Sequence, residues 1–161
     1  MADLLSHNPH RVNRLRFPVG PELIFQISSC QKCLNIYDLI DECSLNETEE
    51  LTLKKYIEKK GAIFLSTPFS RKAVDRLVKF KVKAFKIGSG ECNNYPLVDY
   101  IASFKKPIII STGMNNIKSI SKAIKILRKR KVQHAILHTT NLYPTKHNQV
   151  RLNALTELRN K

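Results

Sequence analysis

The sequence predicts an α/β fold with about four parallel strands and their helices, which is part of a (β/α)8 TIM barrel. Short apolar runs alternate with helical patterns from residue 62 onward, and such alternation is typical of βαβ units with a buried parallel sheet. The runs begin at even spacing, at Ala62, Ala84, Pro107 and Ala135, and each is followed by Ser, Thr, Gly or Asn. Barrel enzymes place their chemistry at these carboxyl ends of the strands.

Helical patterns between the runs support this prediction. A long helix follows Ser44 and stops at Gly61, because glycine suits the left-handed residue that ends many helices. A Rossmann-type sheet is the alternative, but it requires a G-x-G-x-x-G turn that GSGECN at 88–93 does not supply. A whole barrel takes about 250 residues, so four strands make half of one. The expected apolar stripes are Leu51, Leu53, Tyr56 and Ile57; Ala73, Val74, Leu77 and Val78; Leu97, Val98 and Ile101; Ile117, Ile120, Ile124 and Leu127; and Val150, Leu152, Leu155 and Leu158.

The chain divides into two parts by pattern. Residues 1–35 hold three prolines, scattered basic residues and one possible strand at 23–27, whereas a regular pattern begins with a short helix at 36–40. We therefore predict an N-terminal segment at 1–35 and a partial barrel domain at 36–161. No apolar run approaches the roughly 18 residues that a membrane helix needs, and the N-terminus lacks the apolar core of a secretory signal. The cytoplasm is the expected location.

Charge and cysteine content limit the other functions to consider. The formal net charge is +15, and no Asp or Glu occurs between Asp99 and Glu157. Such an excess can bind nucleic acid or another polyanion, although a lysine-rich solvated surface is the simpler interpretation. Cys30 and Cys33 form one CxxC pair, and the other two cysteines are not spaced as the second pair of a zinc site. We expect reduced thiols without a function.

The segment from 84 to 96, AFKIGSGECNNYP, carries the most chemistry in the chain. Lys86 lies inside an apolar run, and a buried lysine requires a partner, for which an anionic ligand is one candidate. Two glycines then let a ligand approach the backbone, and Ser89 and Glu91 follow within one turn of chain. A structural ion pair between Lys86 and Glu91 is the alternative interpretation.

Four motifs stand in the order and spacing of a known enzyme family. They are STPFS at 66–70, FKIGSGECNNYPL at 85–97, KPIIISTGMN at 106–115 and HTTNLYPT at 138–145. From about residue 36 to its end, the chain resembles the bacterial N-acetylneuraminate (sialic acid) synthase family. The resemblance implies a transferase that condenses phosphoenolpyruvate with N-acetylmannosamine, giving N-acetylneuraminate and phosphate. It also implies a homodimer with an antifreeze-like second domain, and a divalent cation, Mn or Mg, that polarises the aldehyde.

The same resemblance assigns roles to seven residues. Lys86 and Glu91 are the catalytic candidates, and Glu91 is expected to orient sugar hydroxyls or move a proton. A cation surrounded by hydroxyl and amide donors makes a suitable cradle for an anion. Some of these residues also have simpler roles, because serine and threonine often satisfy local backbone at strand ends, and His138 can be a core histidine rather than a metal ligand. The positions that match phosphoenolpyruvate-binding residues are Thr67, Lys86, Ser89, Ser111 and Asn141, and those on the sugar side are Glu91 and Tyr143.

The chain also departs from the family pattern. The motifs of the first family strands do not occur in residues 1–35, and the later motifs with metal-binding histidines do not occur at all. We therefore expect the metal ligands to lie outside this chain and the chain to be inactive alone. A synthase for legionaminic or pseudaminic acid is the alternative activity. A non-catalytic fragment that binds a polyanion or a full-length synthase is the alternative of another class.

Overall fold

Helices and parallel strands alternate along the part of the chain that the structure, a computed structural model, describes, residues 44–159. The expected strand at 23–27, the short helix at 36–40 and three of the four cysteines lie outside these residues. Two 3₁₀ turns, Ser89–Glu91 and His147–Gln149, follow the first and third strands. The elements are α1 (Glu47–Lys59), α2 (Arg71–Lys79), β1 (Phe85–Ile87), α3 (Tyr95–Ser103), β2 (Ile108–Ser111), α4 (Ile117–Lys129), β3 (His134–Leu137) and α5 (Ala154–Arg159).

The three strands form one parallel sheet in the order β1-β2-β3. Side chains alternate between the two faces of a strand, so one face of the sheet packs against the helices and the other does not. Phe85, Ile87, Ile108 and Ile110 are at most 1% exposed and form the centre of the core. Register pairs Lys86 with Ile109 of β2, and Ser111 with Leu137 of β3, which is 41% exposed. The face that does not pack against the helices is called the inner face. It carries Lys86, Ile109, Ser111, Ala135 and Leu137.

Three of the four expected strands form, and the run at 62–65 is irregular. Phe64 is buried in the core, but Ile63 remains 64% exposed. The start of the run is hydrogen-bonded to the end of α1, because the Ala62 N–H donates to the Ile57 carbonyl oxygen at 3.2 Å. Its end meets β1 where the Lys86 N–H donates to the Ser66 carbonyl oxygen, also at 3.2 Å. One bond at one end does not make the repeated ladder of a strand pair.

Polar side chains fix where the helices begin. The N-cap residues Asn46, Ser70, Asn94 and Asn116 each accept a hydrogen bond from a backbone N–H in the first turn. The first helix thus starts after Asn46, two residues later than Ser44 suggested, because Asn46 and Glu49 complete a capping box. The last helix starts only at residue 154, so the first half of its expected stripe lies in the preceding loop.

The first four helices end in the same way. The residue after each C-cap is left-handed, with φ of 80° at Gly61, 56° at Lys81, 58° at Lys105 and 54° at Lys131. In α1, α2 and α4 the next residue then donates its N–H to the carbonyl of the third-last helical residue, which is the Schellman motif. Glycine occupies the left-handed position once and lysine occupies it three times, although a side chain there costs free energy.

Glycine at one of these lysine positions is expected to stabilise the fold. Lys131→Gly relieves the left-handed strain and should raise the free energy of unfolding by about 0.5 kcal/mol or more. Lys125→Gly, at an exposed position inside α4, should instead lower it by about 1 kcal/mol. Urea denaturation of both variants measures the difference. Equal destabilisation by the two glycines would contradict the strain argument.

Candidate functional site

Lys86 lies on the inner face of the sheet with uncharged partners. Its Nζ donates to Ser111 Oγ at 2.5 Å and to the Ile87 carbonyl oxygen at 3.2 Å. Burial lowers the pKa of this ammonium group, because desolvation disfavours the charged form. Lys86 is therefore a half-buried cation that two neutral oxygens, rather than a carboxylate, hold in place.

The alternative ion pair between Lys86 and Glu91 does not form among residues 44–159, where the salt bridges involve other side chains. The half-buried Glu91 lies in the 3₁₀ turn after β1, and its Oε2 accepts the Asn94 side-chain amide at 2.7 Å. That amide belongs to the N-cap of α3, whose Oδ1 accepts the Leu97 N–H. The start of a helix thus holds the carboxylate that follows Lys86 along the chain.

Loops from all three strands meet beyond the carboxyl edge of the sheet. The Oγ of Ser89, after β1, lies 2.9 Å from the Oγ1 of Thr139, after β3. Thr139 Oγ1 also accepts the Gly113 N–H, after β2, at 2.7 Å. The side-chain amide of Asn115 donates to the carbonyl oxygens of Ser89 and Gly113, both at 2.8 Å. Side-chain hydrogen bonds therefore hold the three loops together at this edge.

Asn141 packs directly against Gly113. A Cβ atom added at Gly113 would lie 1.8 Å from Asn141 Oδ1 and 2.8 Å from Thr139 Oγ1. Real Cβ atoms never approach so closely, so the Asn141 side chain occupies space that only glycine leaves open. The absence of a side chain at 113 thus allows two polar side chains to approach the backbone.

The remaining site residues predicted from the sequence lie nearby or in the exposed loop after β3. Ser111 is 5% exposed at the end of β2. Thr67 is half-buried, and its Cγ2 is the atom nearest to a Cβ built on Gly88, at 3.6 Å. Tyr143 is 76% exposed. The structure thus joins Lys86 to Ser111 and links Ser89 with Asn141 through the Thr139–Gly113 contact, while Tyr143 faces solvent.

Three residues of this site were not among the predicted ones: Gly113, Asn115 and Thr139. A signal for them existed, because STG at 111–113 and TTN at 139–141 both follow apolar runs. The carboxyl ends of parallel strands meet at one edge of the sheet, so the small polar residues after one strand should contact those after the next. What the sequence did not supply was the pairing between individual side chains.

A cleft of about 530 Å³ opens between the loops after β2 and β3 and the helices α4 and α5. His138, at its edge, is half-buried rather than part of the core, and its Nε2 lies 2.7 Å from the Val150 carbonyl oxygen. Thr140 Oγ1 donates to the same carbonyl oxygen at 3.3 Å. The polar lining of the cleft includes Thr112, Asn115, Asn116, His138, Thr139, Thr140, Asn141, Arg151 and Glu157.

Among residues 44–159 there is neither a cluster of side chains that could hold a metal ion nor a helix that could span a membrane. Between residues 44 and 159, no group of three or more His, Cys, Asp and Glu side chains could hold a metal ion. These residues therefore do not fit the divalent cation that the resemblance implies. Cys92 is buried, and burial raises the pKa of its thiol, which disfavours the reactive thiolate. Within the same residues, no helix has both the length and the apolar character to cross a membrane.

Comparison with known proteins identifies related chains. An uncharacterised protein of Methanocaldococcus jannaschii is 44% identical over 124 residues, which is 76% of this chain and 37% of the relative. The N,N'-diacetyllegionaminic acid synthase of Campylobacter jejuni is 40% identical over 121 residues, 73% of this chain and 36% of that enzyme. The chain thus spans less than half the length of these relatives.

Solved structures give the same result for the fold. The N-acetylneuraminic acid (sialic acid) synthetase of Leptospira borgpetersenii, solved in complex with citrate, superposes with a TM-score of 0.74 at 28% identity. The superposition covers 76% of this chain and 43% of that one. This similarity to a barrel synthase, together with the parallel βα units, confirms the partial TIM barrel.

A family model agrees with these individual matches. The model of the NeuB family matches residues 11–161, so the match begins upstream of residue 36, from which the motif resemblance was traced. The boundary placed between residues 35 and 36 stays a prediction. With most of its length matched, the chain belongs to the NeuB family.

Proposed function

We propose that this site binds phosphoenolpyruvate and belongs to a synthase that condenses it with N-acetylmannosamine to give N-acetylneuraminate and phosphate. The observation that carries the proposal is Lys86, a half-buried cation with neutral partners at the carboxyl end of a barrel strand. Membership of the NeuB family and the similarity to a sialic acid synthetase of known structure support it.

The donors around Lys86 suit an anionic group. A lysine ammonium has three N–H donors, and the bonds to Ser111 and to the Ile87 carbonyl oxygen use two of them. The third can bind a phosphate or carboxylate oxygen. Ser111 Oγ accepts from Lys86 and keeps its own proton, so its hydroxyl can donate to the same anion. In the proposal, Thr67, Ser89 and Asn141 supply further neutral donors.

The reaction forms one carbon–carbon bond and one carbon–oxygen bond to water, and it breaks the carbon–oxygen bond to phosphate. Carbon 3 of phosphoenolpyruvate attacks the aldehyde carbon of the open-chain sugar, and the aldehyde oxygen takes up a proton. Water then adds at carbon 2, and phosphate leaves with its bridging oxygen. We propose that Lys86 and Ser111 hold the charge of phosphoenolpyruvate, and that Glu91 orients sugar hydroxyls or moves a proton, with Tyr143 on the sugar side.

Several features of the whole enzyme belong to the same proposal. The divalent cation would have to be held by ligands outside residues 44–159, and when bound it would polarise the sugar aldehyde. The homodimer, the cytoplasmic location and the absence of activity in this chain alone also stay predictions. Formation of sialic acid by the purified chain, above the level of a Lys86→Ala control, would contradict the last of these.

A second candidate acceptor is a diacetamido sugar. The 40% identity to an N,N'-diacetyllegionaminic acid synthase favours it. The two candidates share phosphoenolpyruvate and differ only in the sugar aldehyde. Adding N-acetylmannosamine or the diacetamido sugar to the phosphoenolpyruvate complex and measuring heat release by calorimetry would separate them, because the correct acceptor should bind more tightly.

Binding of phosphoenolpyruvate is expected to depend on pH through Lys86. Only the ammonium form attracts the anion, and burial lowers its pKa, so affinity should fall as pH rises and should begin to fall below the ordinary lysine value of 10.5. Above about pH 7 a phosphate monoester is fully ionised and adds no further change. Titration calorimetry from pH 7 to 10 tests this. An absence of binding throughout would overturn the proposed function. Constant affinity from pH 7 to 10 would show that Lys86 takes no part in binding phosphoenolpyruvate.

A further inference from the structure

One hydroxyl group joins the three loops at the carboxyl edge of the sheet. Thr139 Oγ1 lies 2.9 Å from Ser89 Oγ and accepts the Gly113 N–H at 2.7 Å. We infer that Thr139 is a positioning residue, which sets Ser89 and the Gly113 backbone relative to each other. The inference rests on the proposed function, because Ser89 matters to the reaction only if it holds phosphoenolpyruvate.

The Gly113 N–H can only donate to Thr139, whereas either oxygen of the Ser89–Thr139 pair can be the donor. Thr139 has one proton to donate and two lone pairs. The N–H of Gly113 takes a lone pair, so the proton of Thr139 remains available for Ser89 Oγ. When Thr139 donates to Ser89, the Ser89 proton is free to point toward an anion. Thr139 therefore places the Ser89 oxygen and, when Thr139 is the donor, leaves the Ser89 proton free for an anion.

The surrounding contacts separate this role from one in folding. Asn115 links the same two loops through the carbonyl oxygens of Ser89 and Gly113, so removing the Thr139 hydroxyl should loosen the site without detaching the loops. Thr140, the next residue, directs its hydroxyl to the Val150 carbonyl oxygen instead. It is a matched control with the same chemistry and a different partner.

The test compares Thr139→Val, Thr139→Ser and Thr140→Val in the 161-residue chain. Valine keeps the shape and removes both hydrogen bonds, whereas serine restores them. We expect Thr139→Val to speed amide hydrogen exchange at Gly113 about tenfold and to weaken phosphoenolpyruvate binding about five- to tenfold. Thr139→Ser and Thr140→Val should stay within about twofold of the original chain in both measurements.

Unchanged exchange at Gly113 in Thr139→Val would overturn the inference, and so would a serine variant that fails to restore it. If the original chain binds no phosphoenolpyruvate, the proposed function fails. The exchange rates at Gly113 would still show whether the Thr139 hydroxyl holds the Gly113 backbone in place. Ser89→Ala provides a second route if the valine variant does not fold. It removes the Thr139 contact from the other side, so adding Thr139→Ala should weaken binding less than Thr139→Ala does in the original chain.

Discussion

Replacement of Lys86 by methionine is expected to weaken phosphoenolpyruvate binding about 10- to 100-fold and to leave the fold at least as stable. Hydrogen bonds from a charged group contribute about 1.5 to 3 kcal/mol, which corresponds to this loss of affinity. Methionine keeps an unbranched side chain, one heavy atom shorter than that of lysine, and removes a half-buried cation without a carboxylate partner among residues 44–159. The two effects therefore have opposite signs. Calorimetry measures the first and thermal unfolding the second.

Lys83→Met is the control for this change. Lys83 is an exposed lysine two residues before β1, so its replacement alters the net charge equally. Binding should then fall less than about twofold, because exposed charges interact weakly through solvent. Equal losses in the two variants would mean that the total positive charge attracts phosphoenolpyruvate and that Lys86 has no special part. A large loss of stability in Lys86→Met would show that the lysine is structural.

Gly113→Ala is expected to disrupt the site from the backbone. The new methyl group would lie 1.8 Å from Asn141 Oδ1 and would also approach Thr139 Oγ1, so both side chains must move. Forced shifts of this kind cost about 1 to 3 kcal/mol of stability. Because Asn141 is a proposed ligand of phosphoenolpyruvate, affinity should fall at least about tenfold with it. Chemical denaturation and calorimetry measure the two losses.

Gly90→Ala offers a control in the neighbouring loop. A Cβ at Gly90 would have no atom within 4 Å, although this glycine stands between Ser89 and Glu91. Stability and binding should therefore stay close to those of the original chain. If Gly113→Ala behaved like Gly90→Ala, the Asn141 side chain could move away from residue 113 without loss of stability or of phosphoenolpyruvate affinity. Asn141 would then no longer belong to the proposed site.

Most of the fold could be predicted from local signals. Apolar stripes with a 3.6-residue period predicted α2, α3 and α4, and short apolar runs predicted the three strands, because both patterns depend only on neighbours along the chain. The run at 62–65 is as apolar as the others and yet is irregular. Its first N–H is bonded to the end of α1, and the competition between a helix cap and a strand ladder cannot be seen in residue types.

The sequence by itself determined that Lys86 is unusual, because a lysine inside an apolar strand requires a partner whatever the fold. Only the tertiary structure decided which partner it has. Ser111, 25 residues away, contacts Lys86, whereas Glu91 does not, and Thr139 reaches Ser89 across 50 residues. Strand register sets these pairs, and register arises from packing of the whole sheet against its helices. For that reason the residue types of the site were readable from the chain, and its hydrogen bonds were not.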